Sequence, residues 1–264
     1  MLAPDILKDK VILVTGAGTG IGQVFATRAA ELGADVVLVG RREDRLKETA
    51  TRVRDAGRRA MVCAFDIRDP VCVEAGVARA IAEFGRIDAL INNAAGNFLV
   101  RAENLTPNGW NAVVGTVLNG TAYMTLAVGR RMLQAGGGKI LSISASFAWT
   151  GGPGTAHSAS AKAGVIALTK SLAVEWGPSN VQINCLCPGF IDTEQSRQAL
   201  WPTEAGHRKI LSTIPAGRFG TIEETVELGL MLCSPMADYI SGEVLVADGG
   251  QWLNQGVLEI PEKA

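Results

Sequence analysis

The residues best suited to chemistry lie between Ser142 and Lys162, in the run SISASFAWTGGPGTAHSASAK. An apolar strand there passes into a Gly-rich loop, and the loop enters a helix of small residues carrying one lysine. Ala, Ser and Gly surround Lys162 on that helix, which sets it apart from a solvated surface lysine. A second such place is Thr15-Gly16-Ala17-Gly18-Thr19-Gly20-Ile21-Gly22, between a β-branched run and a helical pattern. Glycines at this spacing allow a tight turn, close backbone approach to a pyrophosphate, and helix–sheet contact. The helix N-terminus adds free N–H groups and a favourable dipole. A Gly-rich run alone is often a plain turn; its place after a first strand and before a helix points to phosphate.

The end of the second strand narrows the cofactor. NAD sites put a carboxylate there for the ribose hydroxyls, whereas this chain reads Val39-Gly40-Arg41-Arg42. Glycine removes a repulsive charge, and Arg41 and Arg42 offer bidentate contact to a 2′-phosphate, so NADP(H) is expected over NAD. The competing reading makes both arginines solvated residues at a helix start.

The elements that must position these groups follow from periodicity. Strands are expected at 10–14, 36–39, 59–65, 87–91, 139–143, 181–186 and 244–246, with helices at 21–32, 42–56, 71–84, 107–133, 158–176 and 223–232. Alternation of this kind means an α/β fold with one doubly wound parallel sheet, the Rossmann fold, and helices on both faces. No repeat or composition shift divides residues 1–264, which are read as a single domain. The stretch 188–214 shows no clear element and is a candidate substrate lid, because ligands of such sheets bind beyond the strands' carboxyl ends.

The composition agrees with one well-buried domain: 264 residues, 47% hydrophobic and 19% charged. A net charge of −1 gives no general attraction to nucleic acid or acidic membrane, so anion binding must be local. No apolar run approaches the ~20 residues of a membrane span. The N-terminal MLAPDILKDK lacks a secretory apolar core and the C-terminal EKA differs from the Ser-Lys-Leu address, so the cytoplasm is expected. The five cysteines (63, 72, 185, 187, 233) are read as buried reduced thiols, not metal ligands, with Cys185 and Cys187 expected on opposite strand faces.

TGAGTGIG, Asn92-Asn93-Ala94-Ala95-Gly96, Pro188-Gly189, Lys162 and Asp248-Gly249-Gly250 together resemble the short-chain dehydrogenase/reductase family over essentially the whole chain. The resemblance implies that Asp66 and Ile67 flank the adenine and that Asn93 lies along the cofactor. It also implies that Lys162 holds the nicotinamide ribose, and that Ile191 and Thr193 touch the carboxamide and phosphate. The family's carbonyl-reducing set is absent. Ser158 stands where its tyrosine belongs, Ala145 replaces its serine and Val117 its asparagine. Without an acid to protonate an alkoxide, ketone chemistry is disfavoured.

A narrower resemblance, to the 2,4-dienoyl-CoA reductases of fatty acid β-oxidation, rests on Ala94–Phe98, Leu105–Trp110, Val117–Thr121, Ser158–Gly164 and Leu172–Gly177. That branch reduces a conjugated C=C of an acyl-CoA with NADPH. The charge then develops on a thioester oxygen, which needs hydrogen-bond donors. Residue by residue, Asn97 matches the donor to that oxygen, Lys162 the cofactor-binding lysine, and Ser158 the residue of mitochondrial members four positions before it. Phe98 and Thr106 match substrate-contacting positions, while Arg41 and Arg68 match arginines near the 2′-phosphate and CoA. Phe147 stands where mitochondrial members add a tyrosine donor, and Val117 where peroxisomal members use an aspartate. The remaining donor candidates are Ser144, Ser146, His157, Ser158 and water; His157 also reads as a packing or capping residue. A homotetramer of the family's kind is expected. The alternatives are a reductase of another CoA thioester or a cyclic enone, and an NADP-binding protein without catalysis.

Overall fold

Seven strands form one parallel sheet in the order β3-β2-β1-β4-β5-β6-β7 in the computed structural model, which describes residues 2–193, 196, 197, 201 and 203–254. They are β1 (Val11–Thr15), β2 (Asp35–Gly40), β3 (Ala60–Ala64), β4 (Ala89–Asn92), β5 (Gly138–Ile143), β6 (Val181–Pro188) and β7 (Val244–Ala247). The main helices are α1 (Gly20–Glu31), α2 (Glu43–Asp55), α3 (Pro70–Phe84), α4 (Pro107–Val114) and α5 (Thr121–Ala135). After β5 come the short α6 (Phe147–Thr150), then α7 (Ala156–Trp176), α8 (Glu204–Leu211) and α9 (Ile222–Leu232).

The strands read as continuous apolar runs because both sheet faces are covered. Ile12, Val14, Val36 and Leu38 face α1, α2 and α9, with Phe25, Leu46 and Leu230 in the same cluster. Val11, Leu13, Val37 and Val39 face α3, α5 and α7 with Val77, Met124 and Trp176. Each such large side chain contributes about 1.5–3 kcal/mol on burial. The order reverses between β1 and β4, and the crevice beyond their carboxyl ends is the place where this architecture takes ligands.

Four expectations change. The long helix from Pro107 is α4 and α5 joined through a π-helical turn, Gly115–Gly120. A Cβ on Gly120 would stand 2.6 Å from Ile67 Cδ1, so close approach of the β3–α3 connection shapes this turn. The stretch 188–214 contains α8, capped by Thr203 Oγ1 accepting from Gly206 N at 3.1 Å; residues 194, 195, 198–200 and 202 lie outside those described. Eight residues give too few turns for periodicity to declare that helix. Cys185 and Cys187 share one strand face and one cluster, as a two-residue period requires. All five cysteines are free, and Cys72 is exposed, donating from α3's first turn to Asp69 Oδ2 at 3.2 Å.

The continuous helix Pro107–Ala135 is 29 residues long and apolar enough to cross a membrane by length and composition, but half of that window is buried against the sheet. It is a core helix. Its contact with α7 is close: a Cβ on Gly129 would collide with the Trp176 indole, reaching Cη2 at 2.5 Å. Gly129→Ala is expected to cost about 1–3 kcal/mol by overpacking and to lower Tm by about 2–4 °C per kcal/mol, measured by thermal denaturation.

Candidate active site

Thr15, the last residue of β1, fastens the crevice. Its hydroxyl accepts from Asn93 N and Ala94 N, both at 3.0 Å, and faces Ile91 O at 3.4 Å. Asn93 Nδ2 returns to Thr15 O at 3.1 Å. The ends of β1 and β4 are thereby locked together, with the Gly-rich loop on one side and the Asn93–Phe98 loop on the other. Gly16 takes φ +67° and Gly20 φ +57°, conformations that favour glycine. A Cβ on Gly22 would collide with Gly16 O and stand 2.5 Å from Asn93 Nδ2.

Thr19, N-cap of α1, makes no side-chain cap, and no acidic residue occupies the first turn. The N–H groups and positive dipole end of α1 therefore face an anion-sized space. That cleft is lined by Gly16, Gly18, Thr19, Gly20 and Ile21 together with Arg41, Arg42, Asp66, Ile67, Asn93 and Thr193. These residues fit a dinucleotide, because the bare backbone of Gly16, Gly18 and Gly20 lines the cleft at the start of α1 and lets a pyrophosphate approach closely. Arg41 makes no hydrogen bond or ion pair among the described residues, while Arg42 Nη2 donates to Thr19 Oγ1 at 3.4 Å. Asp66 is already held by Arg68, with Nη2–Oδ2 at 2.6 Å and Nε–Oδ2 at 3.0 Å, and this contact lowers its carboxyl pKa. Arg68 is thus held by Asp66 through Nε and Nη2, while Arg41 adds its charge beside the same carboxylate without bonding to it.

Lys162 lies deeper. It is 8% exposed, and its Nζ donates to Ile143 O at the end of β5 at 2.5 Å. Burial pulls its pKa down, opposed by Cys185 and Cys187 nearby. Ser144 Oγ donates to Lys162 O at 3.3 Å. Ser158 is buried one helical turn before the lysine. Val117 is buried in the π turn, and Ala145 and Phe147 sit at the entrance to α6, so none of these positions brings a proton donor.

The Asn97 loop packs near the start of α7, where Val100 N donates to Gly154 O at 3.2 Å. Asn97 Oδ1 accepts from Phe98 N at 2.9 Å, which orients the amide and leaves Nδ2 as a donor. Phe98 is partly exposed, and its ring meets His157 at 4.5 Å with planes 68° apart. His157 is fully buried with neither ring nitrogen hydrogen-bonded, an unmet polar burden of about 1–3 kcal/mol per group. Thr106 caps α4, its Oγ1 accepting from Gly109 N at 3.1 Å.

Pro188 ends β6, and Gly189 and Ile191 line a second cavity, shared with Ala216 and Asp248–Gly250, rather than the cleft around α1. Gly189 is there for closeness: a Cβ would stand 2.6 Å from Asp248 Cα. Thr193 reaches the cleft and pairs with Ser196, Oγ to Oγ at 2.7 Å. The cleft also includes Arg45 and Thr116, which motif spacing does not single out. Asn92 is buried as well, donating to Thr125 Oγ1 at 2.9 Å and so tying β4 to α5. The doublet Asn92-Asn93 was its only signal in the sequence.

A parallel sheet with its switch point at β1/β4 and a Gly-lined cleft on an uncapped helix defines a dinucleotide-binding Rossmann fold. A family model described as enoyl-(acyl carrier protein) reductase matches residues 16–251, and the chain belongs to the short-chain dehydrogenase/reductase family. It is 41% identical over 250 residues to a probable 2,4-dienoyl-CoA reductase [(2E)-enoyl-CoA-producing] of Bacillus subtilis, covering 94% of this chain and 98% of that one. It is 41% identical over 255 residues to a peroxisomal 2,4-dienoyl-CoA reductase [(3E)-enoyl-CoA-producing] of Rattus norvegicus, covering 96% and 87%. Among solved structures, a gluconate 5-dehydrogenase of Burkholderia cenocepacia in complex with NADP and tartrate superposes with TM-score 0.89 at 33% identity, covering 93% and 96%. A short chain dehydrogenase of Bacillus anthracis gives 0.86 at 41%, covering 94% and 99%.

Gly22→Ala is expected to force the Gly16 carbonyl and Asn93 amide apart and to weaken nicotinamide-dinucleotide binding by tenfold or more, about 1.4 kcal/mol. Fluorescence titration of the folded variant with NADPH checks this.

Proposed function

We propose that the chain reduces the conjugated C=C of a 2,4-dienoyl-CoA with NADPH. The observation that carries the proposal is a buried lysine in its family position with no acid four residues before it. Ser158 stands four residues before Lys162, Ala145 and Val117 are inert, and Asn97 keeps Nδ2 free. Both named relatives support the same substrate class.

The Gly16–Gly22 loop and the start of α1 hold the pyrophosphate, Asp66 and Ile67 flank the adenine, and Arg41 takes the 2′-phosphate. Asn93, Thr193 and Lys162 secure the nicotinamide half, which supplies a hydride when bound. Asn97 Nδ2 donates to the thioester oxygen, where negative charge gathers as the conjugated system is reduced. Such a donor is worth more on charge than on the neutral carbonyl, so it lowers the barrier rather than only binding substrate. Lys162 donates to Ile143 O deep in the site and keeps the neighbouring backbone in place. Phe98 and Phe147 give the acyl chain apolar surface, and Arg68 remains beside the cleft for the CoA phosphates. Proton delivery to carbon falls to water, because no acidic side chain of the described site stands with Asn97.

We also place the chain in the cytoplasm, where five free thiols persist, and in a homotetramer, an assembly that the exposed Leu126 of α5 and Val174 of α7 support. Incubation with NADPH and 2,4-hexadienoyl-CoA is expected to consume absorbance at 340 nm; a flat trace would sink the proposal. Asn97→Ala is expected to lower kcat about 100- to 1000-fold while NADPH affinity persists. Arg41→Ala should weaken NADPH about tenfold and leave NADH unaffected, as read from paired titrations.

A further inference from the structure

His157 is a polar group buried where an apolar one would cost less. Both ring nitrogens are out of solvent and without a hydrogen bond among the described residues, and the residue is fully covered. What the imidazole touches explains its presence. Its ring lies edge-on to Phe98, 4.5 Å between centroids and 68° between planes. A polarised ring edge against a π face is a directional contact, which an aliphatic side chain of equal volume cannot make.

Phe98 is held from the other side by α4, where a Cβ on Gly109 would stand 3.1 Å from its Cζ. The same loop is tied down two residues later, where Val100 N donates to Gly154 O at 3.2 Å. Asn97 Oδ1 accepts from Phe98 N at 2.9 Å, so the orientation of the Asn97 amide follows the placement of Phe98. The chain of contact therefore runs from the first turn of α7, through one aromatic ring, to the Asn97 amide.

We propose that His157 is a positioning residue for Asn97: it fixes Phe98, and Phe98 fixes the amide whose Nδ2 serves the thioester oxygen. The inference rests on Asn97 being that donor. It gives α7 a second duty in the reaction besides carrying Lys162, and it assigns the imidazole no proton transfer.

The test is His157→Leu, which fills the space without the ring edge or the unmet nitrogens. The variant is expected to match or exceed the wild-type Tm, to bind NADPH as wild type does, and to keep its KM for 2,4-hexadienoyl-CoA. Its kcat should fall about 10- to 100-fold, the scale of a donor misplaced by a fraction of its length. In the Asn97→Ala background the same substitution should cause no further loss, because it acts through the residue already removed. His157→Phe, which restores an aromatic edge on Phe98, should recover most of the lost kcat. An unchanged kcat in the folded His157→Leu variant would overturn the proposal, as would losses that multiply in the double variant. If Asn97→Ala alone turns over normally, the donor reading itself fails, a result separate from either of these.

Discussion

The Thr15 hydroxyl holds together the two loops on which the site is built. It sits at the one place in the sheet where strand order reverses, and it accepts from two successive N–H groups beyond β4. Asn93 closes the clamp by donating back to Thr15 O. With β1 and β4 pinned at their carboxyl ends, the Gly-rich loop and the start of the Asn93–Phe98 loop are held side by side along one cleft. The glycines at 16 and 22 are consequences of that crowding: each lies where a Cβ would meet the pinned Asn93 or Ala94. The Gly-rich loop and the loop carrying Asn97 thus spring from one hydrogen-bonded corner.

From this corner the chemistry follows by subtraction. A site that reduces a ketone must deliver a proton to oxygen, and the position four residues before Lys162 carries Ser158. Burial of Val117 and the half-buried Ala145 and Phe147 leave no acid to replace it. A conjugated thioester asks for less, because delocalised charge on its oxygen needs only a donor, and carbon can be protonated afterwards. The proposed reaction therefore suits a site with an amide, a buried lysine and no tyrosine.

The fold was legible because its strands are covered on both faces and its helices alternate with them at short range. β1, β2, β5 and β6 stand within one or two residues of where their apolar runs place them. The Gly-rich loop was legible for the same local reason. Contacts between distant segments were not. Ile67 against Gly120 shapes the π turn in a helix that periodicity reads as continuous, and α8 is too short to show a face. Gly189 and Ile191 stand with the distant Asp248–Gly250 in the wall of a neighbouring cavity. His157 beside Phe98 joins residues 59 positions apart, which no spacing rule connects.

The central claim is that this site reduces a conjugated C=C and not a carbonyl. One competition decides it: the enzyme with limiting NADPH and equal concentrations of a 2,4-dienoyl-CoA and a 3-oxoacyl-CoA of the same chain length, with products resolved by mass spectrometry. An enoyl-CoA is expected as the reduced product, with the 3-oxoacyl-CoA returned intact. A 3-hydroxyacyl-CoA as the main product would contradict it.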